Sequence, residues 1–196
     1  MDRTETGRQK KARLRDEVLG RRDALEAMQR IEFSLKAAEI GAAHLKIEPG
    51  MVVSGFFPIR SEIDARPLME IVRQRGARLC LPVVLDKTTI VFRELVRGAE
   101  LVPTGFGTSG PGEDAPVLDP QLLIMPLSVF DRTGGRIGYG AGHYDRAIAR
   151  LLAKGMTPRL EGLAFSCQEV EAVPVEDHDQ PLNAIITERE YVVTGR

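Results

Sequence analysis

The sequence predicts an α/β fold: a single domain with a mostly parallel sheet flanked by helices on both faces. Three observations predict it. The apolar runs Met51-Val-Val-Ser-Gly-Phe-Phe57 and Gln121-Leu-Leu-Ile-Met125 are continuous rather than alternating, the pattern of strands buried on both faces. Such runs alternate along the chain with segments of helical period. The 196 residues are enough for one sizeable core, and no internal repeat or compositional break divides them.

From Arg8 to about Met28 the chain is rich in good helix formers, with one Gly and no Pro, and Leu14, Val18 and Leu25 form an apolar stripe. A second helix is predicted from about Glu32 to Leu45, ending near Pro49-Gly50. The period then changes. Met51 to Phe57 reads as a buried strand halted by Pro58. Asp64 is placed to cap a helix carrying Leu68, Ile71 and Val72, which Gly76 stops. Arg78 to Val84 and Thr89 to Leu95 are strand-like, whereas Gly105 to Pro120, rich in Gly, Pro and acids, reads as a loop. Gln121 to Met125 is a strand closed by Pro126. A helix follows from Tyr144 to Lys154, with Ala147, Ile148, Leu151 and Leu152 on one face and Gly155 as its stop. Leu160 to Phe165, Ala184 to Thr187 and Glu190 to Val193 complete the strands.

Composition excludes several classes of function. With 43% hydrophobic and 28% charged residues the chain reads as an ordinary soluble protein. Aromatics are 5% and Trp is absent, so no stacking platform for single-stranded nucleic acid is expected. The net charge of -1 means that anion binding must come from a local cluster. The polar N-terminal stretch lacks a signal-peptide core, and no apolar run approaches the roughly 20 residues of a membrane helix. A cytoplasmic monomer without nucleic-acid or membrane partners is the expectation. Cys80 and Cys167 form no C-x-x-C pair and read as buried thiols. His44, His143 and His178 lack metal-ligand spacing, and no nucleophile elbow or triad is present.

The segment Gly134-Gly-Arg-Ile-Gly-Tyr-Gly-Ala-Gly-His-Tyr-Asp-Arg146 carries the strongest chemical signal. Its five glycines, two arginines and one aspartate lie between a buried strand and an amphipathic helix. Glycines permit close backbone approach, amides at a helix start favour anions, and Arg136 adds a bidentate phosphate contact. The pattern is neither a Walker A loop nor a G-x-G-x-x-G fingerprint. Asp145 beside a phosphate loop is a candidate magnesium ligand, and Asp179, in Val173-Pro-Val-Glu-Asp-His-Asp179, is a second. Between Arg8 and Arg22 there are seven basic and two acidic residues, and Lys11, Arg15 and Arg22 fall on or beside the apolar stripe, placed to reach into a cleft. Phe57 and Glu62 follow a strand end, where open parallel sheets bind ligands; Phe57 can pack on a planar ring and Glu62 can accept from a ring amine or amide. An exposed glycine loop, a solvated acidic turn and a basic surface helix are the alternatives that composition alone leaves open.

Taken in order, these pieces resemble the 5-formyltetrahydrofolate cyclo-ligase family. The resemblance spans nearly the whole chain: Lys11-Ala-Arg-Leu-Arg15, Phe56-Phe-Pro-Ile-Arg-Ser-Glu-Ile-Asp64, Leu81-Pro-Val83, Leu122 to Pro126, Phe130-Asp131, Gly135 to Arg146, Gln168, and Val173 to Asp179. The glycine-rich block ending in Tyr-Asp-Arg is the specific part. The resemblance implies a fold similar to that of the sugar-phosphate isomerases and CoA transferases. It implies ATP-driven ring closure of 5-formyltetrahydrofolate through a phosphorylated formyl group, with magnesium and no protein nucleophile. Carried over by position, ATP falls to Lys11, Arg15, Arg136, Gly138, Gly140, Gly142, Tyr144 and Asp145, and magnesium to Asp145 and Asp179. The folate falls to Phe57, Glu62, Tyr139, Gly140, Ala141, Gly142 and His143. His143 stands where the family often has a tyrosine, and Gly110 where many members carry an acid. A non-folate substrate on the same scaffold, or a nucleotide-binding regulatory module, are the competing readings.

Overall fold

The computed structural model describes residues 6–105, 107–176 and 179–195, so His178 lies outside the described residues. In chain order the elements are α1 (Gly7–Asp23), α2 (Ala27–His44), β1 (Val52–Ser54), α3 (Arg66–Gln74), β2 (Arg78–Val84) and β3 (Ile90–Glu94). Then come β4 (Leu101–Gly105), β5 (Thr108–Pro111), β6 (Val117–Leu118), β7 (Leu122–Pro126), β8 (Val129–Phe130) and β9 (Arg136–Ile137). The chain closes with α4 (His143–Ala153), β10 (Arg159–Leu163), a 3-10 turn at Ser166–Gln168, β11 (Ala184–Ile186) and β12 (Tyr191–Val193).

Eight strands make one sheet in the order β12-β11-β10-β7-β1-β2-β3-β6. The five central strands, β11, β10, β7, β1 and β2, are mutually parallel, while β12, β3 and β6 join antiparallel at the margins. Counted among themselves, the parallel strands follow a doubly wound order whose direction reverses between β1 and β7. The crossover from β1 to β2 runs through α3, and that from β7 to β10 through α4. Those two helices cover opposite faces. Leu122 and Ile124 of β7 join Leu68 and Val72 of α3 and Ala37 and Ala38 of α2 in one core. Leu123 and Met125 turn the other way, onto Ala147, Ile148 and Leu151 of α4. The period-two alternation of a strand thus feeds two cores from one apolar run, which is why β7 has no polar face.

Several boundaries differ from expectation. The first predicted helix is two: α1 stops at Asp23, α2 begins at Ala27, and Leu25 lies between them against the α2–α3 core. The predicted strand Met51 to Phe57 pairs only over Val52–Ser54, because the chain leaves the sheet at Gly55 to form the loop around Glu62. Asp64 is not the cap of α3, whose cap position is Ala65; its carboxylate accepts the Arg66 N–H at 2.9 Å instead. Leu152 is 41% exposed, one position off the buried face of α4. The predicted loop Gly105 to Pro120 contains β5 and β6, and β5 pairs with β4 in a hairpin that lies on β2. Cys80 is buried and Cys167 only half-buried.

Candidate active site

Three segments leave the carboxyl ends of the parallel strands: the loop 55–65 after β1, the β8–β9 hairpin with the glycine segment after β7, and the turn 164–183 after β10. They emerge on either side of the β1/β7 reversal, where the crossovers diverge and leave a crevice. Helix α1 lies against these segments. Thr6 and Gln9 close a capping box at its start, and Val18 packs on Val129, Ile137 and Val173, with Leu14 alongside. Lys11, Arg15, Val18 and Arg22 recur at offsets of four, three and four, so one helical stripe presents three cations and its anchor to the crevice.

One side of the crevice is a cleft of about 260 Å³ lined by Gly134, Gly135, Arg136, Glu176, Asp179 and Pro181, among others. Lys11 Nζ lies 2.7 Å from Asp179 Oδ2 and 3.3 Å from Glu176 Oε1. Partial burial lowers the Lys11 pKa, but the two carboxylates outweigh it and hold the ammonium above its ordinary value. Arg136 donates through Nη2 to Asp145 Oδ1, and its Nε is enclosed with no partner among the described residues. Arg15 Nε donates to the Gly138 carbonyl at 2.8 Å. The cleft therefore holds alternating cations and carboxylates, close to charge balance.

The glycine segment is held by a residue to which the sequence reading gave no role. Asp131 is 3% exposed and accepts the N–H groups of Thr133 (2.8 Å), Gly135 (3.0 Å) and Val173 (2.7 Å), and the Thr133 hydroxyl (2.7 Å). Burial raises its pKa, but these donors prevail and keep the carboxyl below the usual range. Gly134 has φ 92°, and a Cβ there would stand 2.7 Å from the Leu182 carbonyl, so both dihedral and space require glycine. Gly142, at φ 64°, turns the chain into α4, leaving the first amides of that helix toward the segment and Asp145 in its first turn. The Arg146 guanidinium binds the carbonyls of Thr88 (2.7 Å) and Ala141, and His143 Nε2 lies 3.1 Å from the Lys87 carbonyl. Gly140, at φ 96°, approaches the Arg15 guanidinium, where a Cβ would stand 3.3 Å from Nη2.

On the other side of the crevice Glu62 is 8% exposed; Oε2 accepts the Ile59 N–H at 2.9 Å, and Oε1 is enclosed with no partner among the described residues. Burial raises its pKa, opposed by the Ile59 amide, Tyr139, Arg22 and Arg60. Phe57 is half-buried against the α2–α3 core. Tyr139 accepts a hydrogen bond from Arg22 Nη2 at 3.0 Å, and Arg60 sits 5.8 Å from its ring centroid. The Tyr144 ring packs on the α4 core with its hydroxyl enclosed and unpartnered among the described residues, and burial raises its pKa.

The structure brings Lys11, Asp179 and Arg136 to one cleft, with Asp145 held on Arg136, and places Glu62 and Tyr139 together on the other side. Gly138, Gly140, Ala141 and Gly142 form the wall between, each touching or adjoining an arginine of the site. Among the described residues no three His, Cys, Asp or Glu side chains gather as a metal cluster. A metal here fits the magnesium pattern of one or two carboxylates completed by phosphate and water. His44 instead stacks on Tyr191, 4.5 Å between centroids. Burial pushes the Cys80 thiol up to about 12, and its Sγ meets the Val53 carbonyl, so it is no nucleophile at neutral pH.

Residues 7–188 match the model of the 5-formyltetrahydrofolate cyclo-ligase family. The chain is 32% identical over 173 residues to the 5-formyltetrahydrofolate cyclo-ligase of Escherichia coli strain K12, covering 85% of this chain and 94% of that one. It is 27% identical over 184 residues to the protein of the same name from Haemophilus influenzae, covering 91% and 97%. The fold superposes on the solution structure of 5,10-methenyltetrahydrofolate synthetase from Aquifex aeolicus with a TM-score of 0.78 at 26% identity, over 95% of this chain and 93% of that one. With its sheet order, its glycine segment and its paired cations and carboxylates in place, the chain belongs to the 5-formyltetrahydrofolate cyclo-ligase family.

Proposed function

We propose that the chain catalyses the ATP-dependent cyclisation of 5-formyltetrahydrofolate to 5,10-methenyltetrahydrofolate, releasing ADP and phosphate. The observation that carries this reading is the juxtaposition of two unlike half-sites across one glycine wall. One is a cleft of paired cations and carboxylates suited to a metal nucleotide; the other is the enclosed carboxylate of Glu62 beside Phe57 and Tyr139, suited to a ring that offers N–H groups.

In this reading Lys11, Arg15 and Arg136, with the backbone of Gly138, Gly140 and Gly142 and the start of α4 at Tyr144 and Asp145, take the triphosphate. Phe57 packs on the pterin and Glu62 accepts its amide and amine protons. Tyr139, Gly140, Ala141, Gly142 and His143 separate the reactants by one backbone thickness. The formyl oxygen attacks the γ-phosphorus, ADP leaves, the neighbouring folate nitrogen closes on the activated carbon and gives up its proton, and phosphate departs with the former formyl oxygen. Positioning and charge stabilisation supply the catalysis, and no side chain becomes covalently attached. Magnesium, if bound, would offset the phosphate charge; Asp145 and Asp179 would hold it, and Arg136 and Lys11, their partners in this structure, would then be available to phosphate. Among the described residues no helix is long and apolar enough to cross a membrane, and the enzyme is read as a cytoplasmic monomer.

Absorbance in the methenyltetrahydrofolate band, followed after mixing protein, 5-formyltetrahydrofolate, magnesium and ATP, tests the reading. The expected result is a rise that requires ATP and stops on addition of EDTA. A folded, ATP-binding protein that gives no rise would overturn it in favour of a non-folate substrate or a regulatory module.

A further inference from the structure

Arg22 is the most enclosed cation in the described chain, 1% exposed, although it sits on a helix whose other charged residues face solvent or the cleft. A guanidinium is not buried without a compensating set of partners. Its partners come from two separate segments. Nε donates to Ser61 Oγ at 3.0 Å, and Ser61 in turn donates to Asp23. Nη2 donates to the Tyr139 hydroxyl at 3.0 Å. Since the phenol oxygen accepts from Arg22, its own proton is left for the Glu62 carboxylate, on which Tyr139 acts in the direction that favours ionisation. Nη1 has no partner among the described residues, and neither has Glu62 Oε1.

Geometry adds the second half of the argument. Lys11 and Arg22 lie on one helix, ~16 Å apart along its axis. The first reaches the carboxylates of the nucleotide cleft; the second reaches the loop and the tyrosine of the Glu62 pocket. Lys11 is anchored at its own end by Asp179 and Glu176, and Arg22 anchors the other end, so Arg22 sets the folate side of the helix.

We propose that Arg22 is the positioning residue that joins the two half-sites, tying α1 to the Glu62 loop through Ser61 and to the glycine segment through Tyr139, so that the Glu62 carboxylate is presented in register with the nucleotide cleft. This rests on the assignment of Glu62 to the folate. The charged and titratable groups facing Glu62 are Arg22 from α1, Arg60 from its own loop, Tyr139 from the glycine segment and Tyr144 from α4. Losing Arg22 removes a cation that favours the carboxylate, so the acid limb of the folate kcat/KM profile moves to higher pH.

The test is steady-state kinetics of the full chain carrying Arg22→Met, Arg22→Lys, Tyr139→Phe or Ser61→Ala, with Glu62→Gln as reference. Arg22→Met is expected to raise KM for 5-formyltetrahydrofolate about tenfold or more while KM for ATP stays within about threefold. Its acid limb should shift upward, and Arg22→Lys should restore only part of the loss, since the ammonium keeps the charge but lacks the rigid planar fork of the guanidinium. A residue that merely holds the helix down would lower the melting temperature without splitting the two KM values or moving the limb, and that result overturns the proposal. Should Arg22→Met fail to fold, Tyr139→Phe and Ser61→Ala decide: an unchanged folate KM in both overturns it, and a selective rise supports it. If Glu62→Gln itself leaves the folate KM at the wild-type value, the pocket assignment fails and this proposal falls with it. A large effect at Glu62 with none at Arg22, Tyr139 and Ser61 sinks this proposal alone.

Discussion

Asp145 and Glu62 are both carboxylates at the mouth of one sheet, yet their surroundings assign them opposite tasks. Asp145 is partly open, in the first turn of a helix, with Arg136 as its partner. Glu62 is enclosed, and one of its oxygens has no partner among the described residues. Asp145→Ala is therefore expected to abolish ATP consumption with the circular-dichroism spectrum unchanged; normal turnover in the folded variant would refute the metal assignment. Glu62→Ala is expected to weaken folate binding far more than ATP binding, read by titration of each ligand, and equal losses would sink the pocket assignment. Because the Glu62 pKa is raised by burial, the pocket is competent above that raised value and loses affinity as pH falls through it. Glu62→Gln should abolish that acid limb. At this scale the sequence was informative where spacing decides. Lys11, Arg15 and Arg22 share a stripe because offsets of four and seven residues share a helical face. It was uninformative where long-range packing decides: the spacing puts Arg22 rather than Arg21 on the stripe, but nothing in it shows that Arg22 is buried under Ser61 and Tyr139 while Arg21 is exposed.

Among the elements, β2 begins and ends where the sequence says and β7 is displaced by one residue, whereas the apolar run Met51 to Phe57 pairs only over Val52–Ser54. The β4–β5 hairpin was not. Its strands carry Pro103, Thr104, Gly105, Ser109 and Gly110, a turn composition, and they hold together by pairing with each other and lying on β2 rather than by intrinsic propensity. Gly110 illustrates the point. A Cβ there would stand 3.0 Å from a Val83 methyl, so the acid found in many family members would require Val83 to move here. The Asp131 contacts were equally unreadable, since Val173 lies 42 residues away. Asp131→Ala strands the buried amides of Gly135 and Val173, and about 1–3 kcal/mol per stranded group is expected in chemical denaturation. With a folded pKa below the ordinary carboxylate value, Asp131 contributes stability above an unfolded pKa of about 3.9 and loses it as pH falls through the folded value. The difference between wild type and Asp131→Asn should therefore narrow toward acid pH.

For the whole molecule, the doubly wound order places the site loops at one rim; the apolar runs alternating with helices gave the mostly parallel sheet but not the strand order. The strand that divides the two cores, β7, is the place where a small change is felt most widely. Ile124→Ala is expected to cost about 2–5 kcal/mol of unfolding free energy, measured by urea titration, with kcat of the folded fraction preserved. Helix α1 is the opposite case. Val18 is its one fully buried apolar side chain, Leu14 packs beside it, and further attachments include the polar contacts of Lys11, Arg15 and Arg22. Polar attachments exchange readily with water, so the amides of α1 should take up deuterium by local opening well before those of β7, which open only with the sheet. Protein held at low denaturant would then fall silent while its far-ultraviolet spectrum is nearly intact. A protease added at that point would cut first near the N-terminus, and a bound nucleotide would slow both events by the same factor.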